Sequence, residues 1–319
     1  MNTTTSSTIA SSNDVQAPPT TQPRIVTAFA YFGLLASISI YGFWRAFVPG
    51  DQMWLPWAQA GLLLALWLVT FVWKTVRPLR GYFLIALVMG FLPTLVSSLV
   101  VDSALGASLF SGTGFLTSES GALVWKLIVT LAVIGLLLAM GLKRRDFFLV
   151  KGQLDAPTER IKWLPGTKDG ETWMRFGSFY AVIVFVLLLS GTLLANLSRL
   201  GVDNLVKALP LLPAALLFAA MNGVYEEVVF RAAPLSQLLN VVGRRHALLI
   251  TIAYFGLGHF FGSVPAGIMG VALAAFFAYI MGKAMLETKG IVWPFICHFA
   301  ADAAVFIFMA VAAVAAGTA

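Results

Sequence analysis

Leu209-Pro-Leu-Leu-Pro-Ala-Ala-Leu-Leu-Phe-Ala-Ala220 is followed shortly by Glu226-Glu227-Val228-Val229-Phe230-Arg231. The first stretch reads as part of a membrane-spanning helix, and the second sets three charges against it. Even on lenient insertion scales, a charge at the centre of a span costs about 2.5–3.5 kcal/mol. Charges in such places are rare and mark function.

The rest of the chain has the same apolar character. Of its 319 residues, 59% are hydrophobic and only 11% charged, with a mean hydropathy of +0.88. A soluble domain carries about a quarter charged residues. The composition therefore implies an all-α, polytopic transmembrane helix bundle. A net charge of +7 would suggest nucleic acid for a soluble protein. Here the basic residues sit mostly in short loops, where they set topology, so no nucleic-acid partner is expected. The single cysteine, Cys297, excludes an intramolecular disulfide and any multi-cysteine metal site.

A span needs about 20 apolar residues. Candidates fall at 25–47, 54–76, 81–101, 122–142, 173–197, 205–230, 247–261, 265–285 and 291–316. The seventh is short, so eight or nine membrane helices are expected. Residues 111–121 read as a Gly/Ser/Thr loop. Four parts follow: a disordered Ser/Thr-rich tail over 1–24, a four-helix N-terminal extension over 25–142, a polar cytoplasmic connection over 143–172, and a C-terminal transmembrane domain over 173–316. The tail lacks the basic start and apolar core of a signal peptide.

Charge asymmetry orients the bundle. Lys74, Arg77 and Arg80 follow the second span, and Lys143, Arg144, Arg145 and Lys151 the fourth; Arg244 and Arg245 follow the sixth, and Lys283 and Lys289 the eighth. The alternate connections carry less net positive charge: Arg45 with Asp51, then Asp102 and Glu119, then Arg199 and Lys207 with Asp203. This pattern places the N-terminus in the cytoplasm. With the Ala/Leu/Val bias it suggests a multi-pass protein of a bacterial plasma membrane, surrounded by membrane lipid.

Polar groups inside the spans concentrate in the last third. Of three histidines, His246 adjoins Arg244 and Arg245 in a loop, while His259 and His298 lie within apolar runs. Counting 1.5 Å per residue from the cytoplasmic helix ends puts Glu226 at roughly 20 Å, His259 at roughly 18 Å and His298 at roughly 10 Å. With some tilt, the three can meet. Glu227 and Arg231 stand at i,i+4 with the acid first, the favourable order for an ion pair. Glu226 points about 100° away and lacks an evident partner on its own helix. His298 and Asp302 are also i,i+4, so Asp302 could orient the imidazole. Phe255 at i,i+4 from His259 sets a ring on the histidine's face.

Carboxylates and histidines at one depth permit three chemistries. A carboxylate and a histidine sharing a water can deprotonate it, and a second histidine can stabilise the resulting oxyanion. Glu226, His259 and His298 would also make an acceptable zinc triad. Buried acids and histidines can instead line an ion or proton path. Motifs of the His-Glu-x-x-His, Gly-x-Gly-Asp and Gly-x-Ser-x-Gly types are absent from the sequence.

Glu-Glu-x-x-x-Arg at 226–231, Phe-x-x-x-His at 255–259 and His-x-x-x-Asp at 298–302, in that order on successive spans, resemble the CPBP family. That family includes type II CAAX prenyl endopeptidases and bacteriocin-processing or immunity proteins of the Abi type. The resemblance covers roughly 173–310. It implies a glutamate-dependent intramembrane peptidase acting on a peptide or membrane-protein substrate, with no required cofactor; a zinc-dependent variant is the alternative chemistry. By motif position Glu226 would be the general base and His259 its partner. His298 and Asp302 would form the oxyanion site, supported by Glu227 and Arg231. Asp302 departs from the asparagine of eukaryotic members, and an ionised aspartate would repel an oxyanion. A non-catalytic immunity or scaffold protein is the alternative function.

Overall fold

A computed structural model describes residues 24–38, 44, 48, 54–110, 112, 114–164, 167–168, 170–260 and 266–318. Its long helices are α1 (Arg24–Ile38), α2 (Leu55–Val72), α3 (Arg80–Val96), α4 (Phe115–Ala139), α5 (Trp173–Ala195), α6 (Leu212–Glu227), α7 (Ala233–Gly258), α8 (Gly267–Thr288) and α9 (Val292–Ala316). The expected tail, apart from Arg24, lies outside the described residues, as do Arg45, Asp51, Phe261, Pro265 and most of 39–47.

Seven helical stretches among the described residues are long and apolar enough to cross a membrane. Their outer faces carry Val72, Phe179 and Ile268 at 86%, 63% and 81% exposure. Water would not tolerate apolar surface on this scale, whereas lipid covers it. The protein is an integral, multi-pass membrane protein.

One of the seven stretches, Val202–Gly258, is too long for a single pass. In a straight helix Arg231 and Phe255 would stand about 36 Å apart. Instead the Arg231 guanidinium carbon lies 4.4 Å from the centroid of the Phe255 ring, and the Phe230 and Tyr254 rings are 5.7 Å apart. The chain turns back at Gly243, whose φ of 78° and ψ of 163° only glycine adopts without strain. Its two arms are separate passes. Together with the shorter apolar helix α1, this is compatible with the eight or nine crossings expected.

Helix α9 is the hub, packing on α5, α6 and α8. Close approach to α5 requires Gly177, where a Cβ would come within 2.5 Å of the Trp293 ring. On the other side α1, α2 and α3 pack on one another, α1 and α3 also meet α7, and α4 bridges α3 and α6. The N-terminal helices are thus joined to the C-terminal ones by direct packing.

Two local expectations are corrected. Residues 115–121 are helical, because α4 starts at Phe115, a buried ring 5.6 Å from Phe218. The Thr117 and Ser118 hydroxyls donate to the carbonyls of Gly114 and Phe115, so they fit inside a helix instead of breaking it. Glu119 therefore belongs to α4 and not to a loop. A π-helical turn, Val228–Ala232, follows α6 and precedes Pro234, which sits in the first turn of α7, where its missing N–H is harmless.

The polar connection is folded. Thr158 N–H donates to Glu171 O and Trp173 N–H to Ala156 O, so the segment doubles back to start α5. Gln153 N–H donates to Thr288 O and Ile291 N–H to Val150 O, tying it to the α8–α9 turn. Arg244 beside the hairpin turn reaches Glu159 at 3.0 Å and Glu287 at 3.5 Å. Burial works to raise the Glu159 carboxyl, but the charge and hydrogen bond of Arg244 and the charge of Lys283 outweigh it and hold it below its ordinary 4.5.

The depressed Glu159 value sets a sign. Its tether contributes fully above pH 4.5 and is lost as pH falls through the lower folded value. Limited proteolysis of the 143–172 segment should therefore be slow at neutral pH and accelerate in acid; Glu159→Gln should remove that acceleration by making cleavage fast at both. Gly243→Ala should destabilise the protein by about 1–3 kcal/mol, read as thermal unfolding in detergent. A Cβ at Gly243 meets nothing within 4 Å, so any loss reports backbone strain alone.

Candidate active site

Glu226 and Glu227 close the last turn of α6, and the π turn behind them carries Arg231. The second arm of α7 returns Phe255 and His259 to the same level, while α9 brings His298 and Asp302. π turns interrupt the regular ladder and recur at functional sites. Here the turn follows the two acids and carries the arginine itself.

An inner layer is sealed. Glu227 and Arg231 have side chains with 0% exposure and form the ion pair expected from their spacing. Nδ1 of His298 faces Glu227 Oε1 at 2.5 Å, with Arg231 Nη1 at 3.5 Å. The Arg231 guanidinium stacks over Phe255, a cation–π contact in a dry setting. Rings of Phe255 and Phe277 stand edge-on to His298, at 5.9 and 5.3 Å. The imidazole is held on every side.

An outer layer is accessible. Glu226 and Asp302 side chains are 18% and 15% exposed, against 3% for His298. Glu226 Oε2 lies 3.1 Å from His298 Nε2. His298 therefore bridges the two glutamates, one on each ring nitrogen. A neutral imidazole has one N–H, so it can donate to both only as imidazolium; otherwise a glutamic acid must carry the shared proton. Asp302 Oδ2 stands 3.7 Å from Nε2, beyond hydrogen-bond length, so the glutamates orient the ring instead of Asp302.

His259 caps the end of α7, and its Nδ1–H donates to Phe255 O at 2.9 Å. That tautomer leaves Nε2 as an acceptor. Its ring centroid lies 4.6 Å from that of Phe255, with the planes tilted by 43°. No hydrogen bond joins His259 to Glu226, so the nearest histidine to Glu226 is His298.

Two residues escaped the sequence reading. Asn222, one turn before Glu226 on α6, donates from Nδ2 to Glu226 Oε1 at 3.1 Å and to Asp302 Oδ2 at 2.9 Å. Glu226 thus has a helical partner at i−4, a spacing visible in the sequence. Lys126 of α4 donates to Asn222 Oδ1 at 2.6 Å. A lone cation within the span 122–142 was the available signal.

Among the described residues, no group of three or more ligating side chains is arranged to hold a metal ion.

Residues 208–304 match the family model of the Type II CAAX prenyl endopeptidase Rce1-like proteins. The matched segment is similar to the CAAX protease family. It runs from four residues before α6 to two residues past Asp302 and includes every motif residue named above. Lys126 lies outside it. No curated protein and no solved structure matches the chain. The CAAX protease-like segment supports, in general terms, a membrane protease with a peptide or protein substrate.

The inner layer sets a stability prediction. Arg231→Leu leaves Glu227 buried without its cation and should cost about 3–5 kcal/mol, measured by thermal unfolding in detergent. Arg231→Leu combined with Glu227→Leu should recover much of that loss.

Proposed function

We propose that this protein is an intramembrane endopeptidase in which Glu226 activates the attacking water. The observation that carries the reading is the contrast between the two adjacent glutamates. Glu227 is sealed against Arg231, while Glu226 is held from behind by Asn222 and His298 and remains partly open. A carboxylate that is both accessible and fixed can take a proton from water.

Glu226 removes a proton from the water as its oxygen adds to the scissile carbonyl carbon. The negative charge gathers on the former carbonyl oxygen. Asp302, when protonated, and the free ring nitrogen of His259, when protonated, would donate to that charge. The proton held by Glu226 then passes to the leaving amine nitrogen as the C–N bond breaks. The carboxylate is regenerated. His298 stays behind Glu226 throughout and keeps it in register with Glu227. The membrane setting and family match favour a membrane-bound peptide or protein substrate; the charge asymmetry of the loops favours an N-terminus on the cytoplasmic side, and the Ala/Leu/Val bias a bacterial plasma membrane.

The test uses the full-length protein in proteoliposomes with quenched fluorescent peptides, one ending in a farnesylated CAAX sequence and one unprenylated. Glu226→Gln should lower kcat/KM by about 10²- to 10⁴-fold while the protein remains inserted and folded. His259→Ala should also lower it. Comparison of membrane-protein termini in cells carrying wild type or Glu226→Ala identifies the natural substrate. Full function in both Glu226→Ala and His259→Ala sinks the peptidase reading. Chelation should leave cleavage unchanged; stoichiometric zinc whose removal abolishes it would overturn the metal-free mechanism.

A further inference from the structure

The N-terminal helix α4 lies outside the family match, yet it sends a side chain to the site. Lys126 is the only cation of the Phe115–Ala139 helix. Its ammonium is 5.7 Å from the ring centroids of both Trp125 and Tyr225, which themselves meet edge to face at 5.5 Å. Two aromatic faces and the Asn222 oxygen replace part of its water shell.

Lysine has three donors and no acceptor, so it can bond only the oxygen of the Asn222 amide. That contact directs the two N–H groups of the amide to the opposite side. Nδ2 there meets Glu226 Oε1 and Asp302 Oδ2. An amide turned the other way would set its oxygen against two carboxyl groups. The site therefore contains two cations for two layers. Arg231 answers the sealed Glu227 directly, and Lys126 answers the accessible pair through one amide.

We propose that Lys126 is a positioning residue of the active site: by fixing the Asn222 amide, it holds Glu226 and Asp302 in the arrangement that the reaction uses. The proposal rests on the peptidase reading for its kinetic consequence, but its geometry is testable without it. A plain helix-to-helix pin would hold α4 against α6 and leave the glutamate–histidine contact as it was. A positioning residue changes that contact when it is removed.

The chain has three histidines, so selective ¹⁵N-histidine labelling of the full-length protein in lipid nanodiscs gives few ring signals. His298 is assigned by the signal lost in His298→Gln. Lys126→Met should shift the His298 Nε2 resonance, and Lys126→Arg should keep it at the wild-type position. In an Asn222→Ala background, Lys126→Met should add no further shift. Lys126→Gln, which can donate without a charge, serves if Lys126→Met fails to fold, and should retain the orientation in part.

On the farnesylated CAAX probe, Lys126→Met should lower kcat by about ten- to a hundredfold with KM little changed, and Lys126→Arg should restore it. An unmoved His298 signal accompanied by lower thermal stability would reduce Lys126 to a pin and overturn the proposal. A shift that persists without Asn222 would overturn the route through the amide. If wild type cleaves neither peptide while the His298 signal responds as expected, the peptidase reading fails and the positioning role of Lys126 stands.

Discussion

A guanidinium sealed among apolar helices is tolerable only where a carboxylate meets it, and Arg231 with Glu227 satisfies that constraint at zero exposure. Removing either charge alone leaves the other stranded in low dielectric. The pair therefore determines where α6 and the π turn stand relative to each other. It also fixes the partners around it. Phe255 covers the guanidinium, so the second arm of α7 must return to the same depth, and His298 closes on Glu227 from α9. Three separate passes are registered by one buried ion pair.

The adjacent acid gains its character from that arrangement. Glu226 and Glu227 are neighbours in sequence, and helical geometry turns them about 100° apart. One side chain points into the sealed layer, the other toward the accessible one. His298 spans the two with opposite ring nitrogens, so a change in protonation at one carboxyl is felt by the other. A site of this kind can hold a proton near a reacting water without exposing its cation.

Periodicity made much of this legible before any coordinates. The i,i+4 spacing of Glu227 and Arg231 identified the ion pair, and the depths of His259 and His298 placed them with Glu226. Composition alone implied the helix bundle. Other parts escaped for definite physical reasons. Asn222 is uncharged, so it carried no insertion penalty to draw attention, although it stands one turn from Glu226. Lys126 carried that penalty but lay in helices read as a separate extension. The start of α4 reads as a loop in sequence, because serines and threonines that donate to their own helix look like turn residues. Helix reversal at Gly243 depends on a backbone angle that no apolar pattern records.

The position of α4 bears on how separable the two halves of this chain are. Residues 208–304 contain every motif side chain, and by sequence they look self-sufficient. Yet the amide that bonds Glu226 and Asp302 is itself bonded by a lysine from outside that segment. Two carboxyl groups drawn to one amide repel each other when both are ionised, and a nearby cation relieves that repulsion. The accessible layer must stay open to water, so it cannot use a sealed arginine as the inner layer does. A lysine on a flexible stem, reaching in from a neighbouring helix and acting through a neutral amide, supplies positive charge without closing the site. On that argument the N-terminal helices belong to the proposed chemistry, and a segment cut at the motif boundaries would keep the motif side chains while losing the group that arranges them.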